Sequence, residues 1–112
     1  MTQYAVLIFE TETGTEPPPE VMAAHQELPA RIAERGGRIV AGLALEPSTT
    51  ATVVRDGLIT DGPFIESKEM LAGVFVIEAR DLDHAMELAG LTPVLKGGVE
   101  VRPLAGFFTD PS

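Results

Sequence analysis

The chain has no cysteine, no tryptophan and a single tyrosine. Without thiols it forms neither disulfides nor thiolate-held metal centres, and nothing in it marks an oxidising compartment. Basic residues are also scarce: eight lysines and arginines stand against 17 aspartates and glutamates, for a formal net charge of −9. Such a surface repels nucleic acid, which binds basic patches, and repels anionic lipid headgroups. Solubility accounts for the charge equally well. No apolar run approaches the roughly 20 residues needed to span a bilayer, and the opening Met1-Thr2-Gln3-Tyr4 lacks the basic segment of a signal peptide. These absences predict a cytoplasmic protein with no nucleic-acid and no membrane partner.

What is present is enough for one globular domain over residues 1–112. Of the 112 residues 45% are hydrophobic and 22% charged, a balance that builds a core but with little to spare at this length. Gln3 to Phe9 is β-branched, aromatic and continuously apolar, as a buried strand is. Thr11 to Pro19 is a polar, proline-rich loop, and Pro19 suits the first turn of a helix. Glu20 to Arg35 has Val21, Leu28 and Ile32 at helical spacing and ends at Gly36-Gly37, with Arg31 and Arg35 near its negative end. Pro29 removes a hydrogen bond to the His25 carbonyl and is expected to kink this helix or split it. Arg38 to Leu45 is a second strand. Thr50 to Arg55 and Leu58 to Thr60 flank Asp56-Gly57, a strong hairpin signal. Leu71 to Glu78 is the most apolar strand, Asp81 caps a short helix with Leu82, Ala85, Met86 and Ala89 on one stripe, and Val99 to Pro103 is the last strand. There is no internal repeat. The order is βαββαβ with an added hairpin, which predicts an α+β, ferredoxin-like sandwich: an antiparallel sheet with two helices on one face.

The other face of that sheet should be polar if it meets water. It is not: Ala5, Leu7 and Phe9 oppose Tyr4, Val6 and Ile8, and Val74 and Val76 oppose Phe75 and Ile77. Two short helices cannot cover both faces. A homodimer through the open sheet face buries the remainder. The alternative cover, the C-terminal tail with Phe107 and Phe108, hides too little area.

Two histidines are candidates for chemistry near neutral pH. At about 100° per residue His25 lies within about 60° of Val21, Leu28 and Ile32, so it is expected at the core or its rim. A buried histidine held by one hydrogen bond explains that position as well as catalysis does. His84 lies about 200° from Leu82 and is expected in solvent. No pair of histidines with carboxylates has metal-ligand spacing, and neither Gly36-Gly37 nor Gly97-Gly98 makes a phosphate-binding loop, so neither metal nor cofactor is expected.

Residues 61–69 read Asp-Gly-Pro-Phe-Ile-Glu-Ser-Lys-Glu. Gly62 before Pro63 is biased away from helix, and Pro63 fixes the next torsion, so the turn aims Asp61 and Phe64 in set directions. Phe64 is expected to plug the core or the dimer seam. Glu66, Lys68 and Glu69 read equally as a solvated hairpin. A carboxylate beside an imidazole is a workable acid–base pair.

This box, Asp61-Gly62-Pro63-Phe64 followed by Glu66, Lys68 and Glu69, resembles the signature of the DGPF-containing branch of the YCII-related domain family. The opening QYAVLIF, Met22-Ala23-Ala24-His25, Asp81-Leu82-Asp83 and Gly97 to Leu104 agree with it, over about residues 3–104, leaving a tail at 105–112. The resemblance implies a ferredoxin-like protomer assembled as a dimeric α+β barrel. It also implies an active site with a histidine on the first helix, matching His25, and an aspartate, taken here as Asp61, with Gly62, Pro63 and Phe64 lining the substrate site. The expected function is metal-free acid–base chemistry on a small organic molecule, of the elimination or isomerisation class. The alternatives are a dimer that binds a metabolite without changing it or presents Glu66 to Glu69 to a partner, and a dimer whose box serves folding alone.

Overall fold

A computed structural model of the chain describes residues 1–111; the tail expectation extends one residue further, to Ser112, outside the described residues. The elements are β1 (Thr2–Thr11), α1 (Pro19–Glu34), β2 (Arg38–Ala44), a 3-10 turn (Ser48–Thr50), β3 (Thr52–Arg55), β4 (Leu58–Asp61), β5 (Glu69–Ala79), α2 (Leu82–Ala89) and β6 (Gly97–Pro103). Four strands form one antiparallel sheet in the order β2-β5-β1-β6, and β3 and β4 form a separate two-stranded sheet. With both helices supplied by the crossovers, this is a ferredoxin-like α+β arrangement carrying an inserted hairpin.

The register explains why both sheet faces are apolar. One set of rows, Gly42–Phe75–Val6–Val101 and Ile39–Ile77–Tyr4–Pro103, faces the helices. There Tyr4, Val6, Phe75, Ile77 and Ala79 meet Leu28 and Ile32 of α1 and Ala85, Leu88 and Ala89 of α2 to form the core. The alternate rows, Leu43–Val74–Leu7–Glu100 and Ala41–Val76–Ala5–Arg102, lie on the other face. No described element covers them, and Leu43 is 68% exposed. The chain exposes 7881 Å², roughly 1,900 Å² more than the about 5,900 Å² usual for a folded monomer of 11.9 kDa. Its radius of gyration is 15.3 Å, against about 13 Å for a compact domain of this length.

Local signals acted as the sequence predicts at several points. Asp56 (φ 51°) and Gly57 (φ 79°) both take the positive φ of a type I′ hairpin turn. Gly36 (φ 82°) ends α1, where Gly37 N–H bonds the Ile32 carbonyl at 3.1 Å. Asp81 Oδ1 accepts the His84 N–H at 2.8 Å and caps α2. Two points differ from the sequence reading. Of the two outcomes predicted for Pro29, the split does not occur: α1 runs as one helix with Pro29 on its exposed side. The inner stripe of α2 is His84, Ala85, Leu88 and Ala89, while Leu82 and Met86 are exposed. The small alanines let the helix approach the sheet closely, so its largest apolar residues are not all the buried ones.

Candidate functional site

The antiparallel pairing gathers the chain's connections at two ends of the sheet. Thr11 pairs with Glu69 and Ala44 with Gly73, so the ends of β1 and β2, the start of α1, the hairpin and the start of β5 share one end. The 12–18 loop is tied there by Glu12, whose carboxylate accepts both the backbone N–H (2.7 Å) and the hydroxyl of Ser48. These two bonds hold the Glu12 carboxyl below the usual carboxylate range. Glu10 Oε1 accepts the Leu95 N–H at 2.7 Å and ties the loop before β6 to the same end.

The box lies in this cluster. Asp61 is the last residue of β4, opposite Thr52, and the turn closes with Gly62 N–H donating to the Ala51 carbonyl at 2.9 Å. The Gly62–Pro63 peptide is cis. After this turn the chain folds back over the hairpin, and the Arg55 guanidinium sits 4.0 Å from the centre of the Phe64 ring, a cation–π contact. Val53, Arg55, Thr60, Asp61, Pro63 and Phe64 are among the walls of a groove of about 300 Å³. Phe64 does not plug the core of its own chain: it is 61% exposed and stacks on Arg55.

Arg55 carries no motif in the sequence. The hairpin register sets Arg55 opposite Leu58, on the same face as Val53 and Thr60, which was legible from Asp56-Gly57. That Phe64 folds onto that face was not, because the direction of the chain after Gly62 depends on the turn itself.

The two histidines exchange their expected places. His84 is 2% exposed. Its Nδ1 accepts the Arg80 N–H at 3.0 Å, so the ring hydrogen sits on Nε2 and donates to the Arg35 carbonyl at 2.7 Å. His84 thus joins the end of α1 to the start of α2 at the end of the sheet away from the box. His25 is exposed, on the first half of α1. Only Leu28 and Ile32 of that helix are buried, both in its second half, and Val21 is half-buried: the first two turns, His25 included, bury no residue. A larger groove of about 520 Å³, walled by Glu16, Pro17, Pro19, Met22, Ala23 and Gln26, opens beside these turns. His25 walls neither groove.

His25 and Asp61 therefore share one end of the molecule without touching. Neither side chain makes a hydrogen bond or ion pair among the described residues. Among the described residues no cluster of three or more His, Asp or Glu side chains could hold a metal, and no helix is long and apolar enough to cross a membrane.

The strand order, the paired helices and the inserted hairpin with its Gly62-Pro63 turn define an α+β protein of the ferredoxin-like class. Within that class residues 2–107 match the YCII-related domain, and the chain belongs to this family. It is also similar to a protein of Rhizobium meliloti (strain 1021) described only as uncharacterized, with 33% identity over 115 residues, covering 91% of each chain.

Proposed function

We propose that this YCII-related chain belongs to the DGPF-containing branch, a reading supported by its Asp61-Gly62-Pro63-Phe64 box, and works as a homodimeric α+β barrel that takes a small organic molecule at the box end of the sheet. His25 acts there as general acid or base, Asp61 orients it or shares its proton, and Gly62, Pro63 and Phe64 shape the substrate groove. The reaction class is proton transfer leading to elimination or isomerisation, without metal or cofactor. The observation that carries the reading is the groove itself: the turn brings Asp61, Pro63 and Phe64 to one concave surface, with Arg55 stacked on Phe64.

Support for the dimer is independent of the box. The rows Leu43–Val74–Leu7 and Ala41–Val76–Ala5 leave an apolar face bare. The roughly 1,900 Å² of excess surface is of the size each partner buries in an obligate dimer.

A second reading, a dimer that binds a metabolite without turning it over, is favoured by the lack of any bond between His25 and Asp61 within one chain. One screen separates the two. Small organic acids and carbonyl compounds are tested for raising the melting temperature, and each binder is then assayed for conversion. Turnover that falls roughly 100-fold or more in His25→Ala and in Asp61→Asn, with binding retained, is the expected result. A binder recovered unaltered selects the binding module. Turnover unchanged in His25→Ala removes His25 from the mechanism.

A further inference from the structure

The β3–β4 hairpin stands apart from the rest of the fold. It makes its own two-stranded sheet with no ladder to the four-stranded one among the described residues. A two-stranded ribbon is marginal in water unless a face of it packs against something. One of its faces, with Val53, Thr60, Arg55 and Leu58, is partly roofed by the returning 62–64 segment. The opposite face presents the cross-strand pair Val54–Ile59. These side chains are 68% and 72% exposed, and Ile65 beyond the turn is exposed too.

We propose that the Val54–Ile59 face docks on a second copy of this chain, making the hairpin an arm of the dimer seam. Three observations select that occupant. Apolar side chains are exposed on the chain leading to the arm: Leu43 on the open sheet face and Leu45 just beyond β2. The molecule is more extended and exposes more surface than a monomer of its mass, by an amount matching one protomer's share of a stable dimer. The chain's own C-terminal aromatics do not serve, since Phe107 and Phe108 are themselves exposed. An arm seated this way brings Asp61, which shares the Val54–Ile59 face through its pairing with Thr52, to the second copy, and leaves the groove side with Arg55 and Phe64 turned away from the contact. The inference rests on the dimeric reading above but adds a separate contact to it.

The test uses the whole chain. Sedimentation of the wild type at micromolar concentration is compared with Ile59→Lys on the arm and Leu43→Lys on the sheet face. Both sites are exposed in the protomer, so neither change disturbs its core. A dimer whose dissociation constant rises about tenfold or more in each variant is expected. The protein has no tryptophan, so Ile59→Trp reports the arm alone. Its emission should be that of a shielded indole in the dimer and shift to that of a solvated indole on dilution. A monomeric wild type overturns both the dimer and the arm. A dimer weakened by Leu43→Lys, unchanged by Ile59→Lys and with solvated emission from Ile59→Trp overturns the arm and leaves the dimer standing. Shielded emission that persists as the dimer dissociates also overturns it, because the arm then folds on its own chain.

Discussion

The imidazole of His84 serves two main-chain groups at once, the Arg80 N–H and the Arg35 carbonyl, in a position almost closed to water. Removing the ring leaves both without it, and an abandoned buried polar group costs about 1–3 kcal/mol. His84→Ala should therefore lower the unfolding free energy by about 2–4 kcal/mol in urea titration. His25→Ala, on an exposed helix surface, should stay within about 0.5 kcal/mol of wild type. Equal losses in the two variants would mean that His25 gains cover elsewhere or that water replaces the His84 ring. The pair also shows the limit of helical phase as a guide. Angle alone placed His25 inward and His84 outward. Burial depends in addition on how far the sheet extends beneath each turn and on whether the ring finds partners, and neither is written in the spacing of Val21, Leu28 and Ile32.

Among elements, the strands and their turns were the legible part, because a two-residue period, Asp56-Gly57, Gly36-Gly37 and the Asp81 cap each act over a few residues. The hairpin at 52–61, the α1 terminus and the apolar open face follow from them. The contacts that join elements were not legible. Arg55 over Phe64 and Glu12 against Ser48 depend on where loops meet after the sheet has formed. The Glu12–Ser48 tie has a measurable acid signature. The Glu12 carboxyl is held below its ordinary value in the fold, so its contribution is full above the unfolded-state value, about 4.3. It fades as the pH falls through the lower folded-state value. Ser48→Ala should consequently be less stable than wild type near neutral pH, with the gap closing in acid. Urea midpoints of both proteins across that range measure it, and a gap constant with pH would show that the tie does not couple to folding. Arg38 Nε, 3.0 Å from Glu78 Oε1, holds that carboxyl low in the same direction. Glu78 therefore adds to the acid sensitivity of both proteins equally.

At the scale of the whole molecule, the proposed dimer sets the apolar face and the arm against the charge. Each chain carries a formal −9, so two chains repel, and mobile ions screen that repulsion. Raising the ionic strength from low to physiological should tighten the dimer in sedimentation; loosening would indicate a seam held by ion pairs. The two ends of the sheet are also unlike each other. One holds the His84 clasp between the helices, and the other holds the box, the 12–18 loop and the arm. Variation at the box end touches exposed loops that contribute little to the core, whereas variation at the clasp strikes buried bonds. Descendants of such a chain are free to diverge in what they recognise while inheriting one scaffold, and sequence drift in the family should collect in the exposed loops around the box and spare the Asp61–Phe64 turn itself.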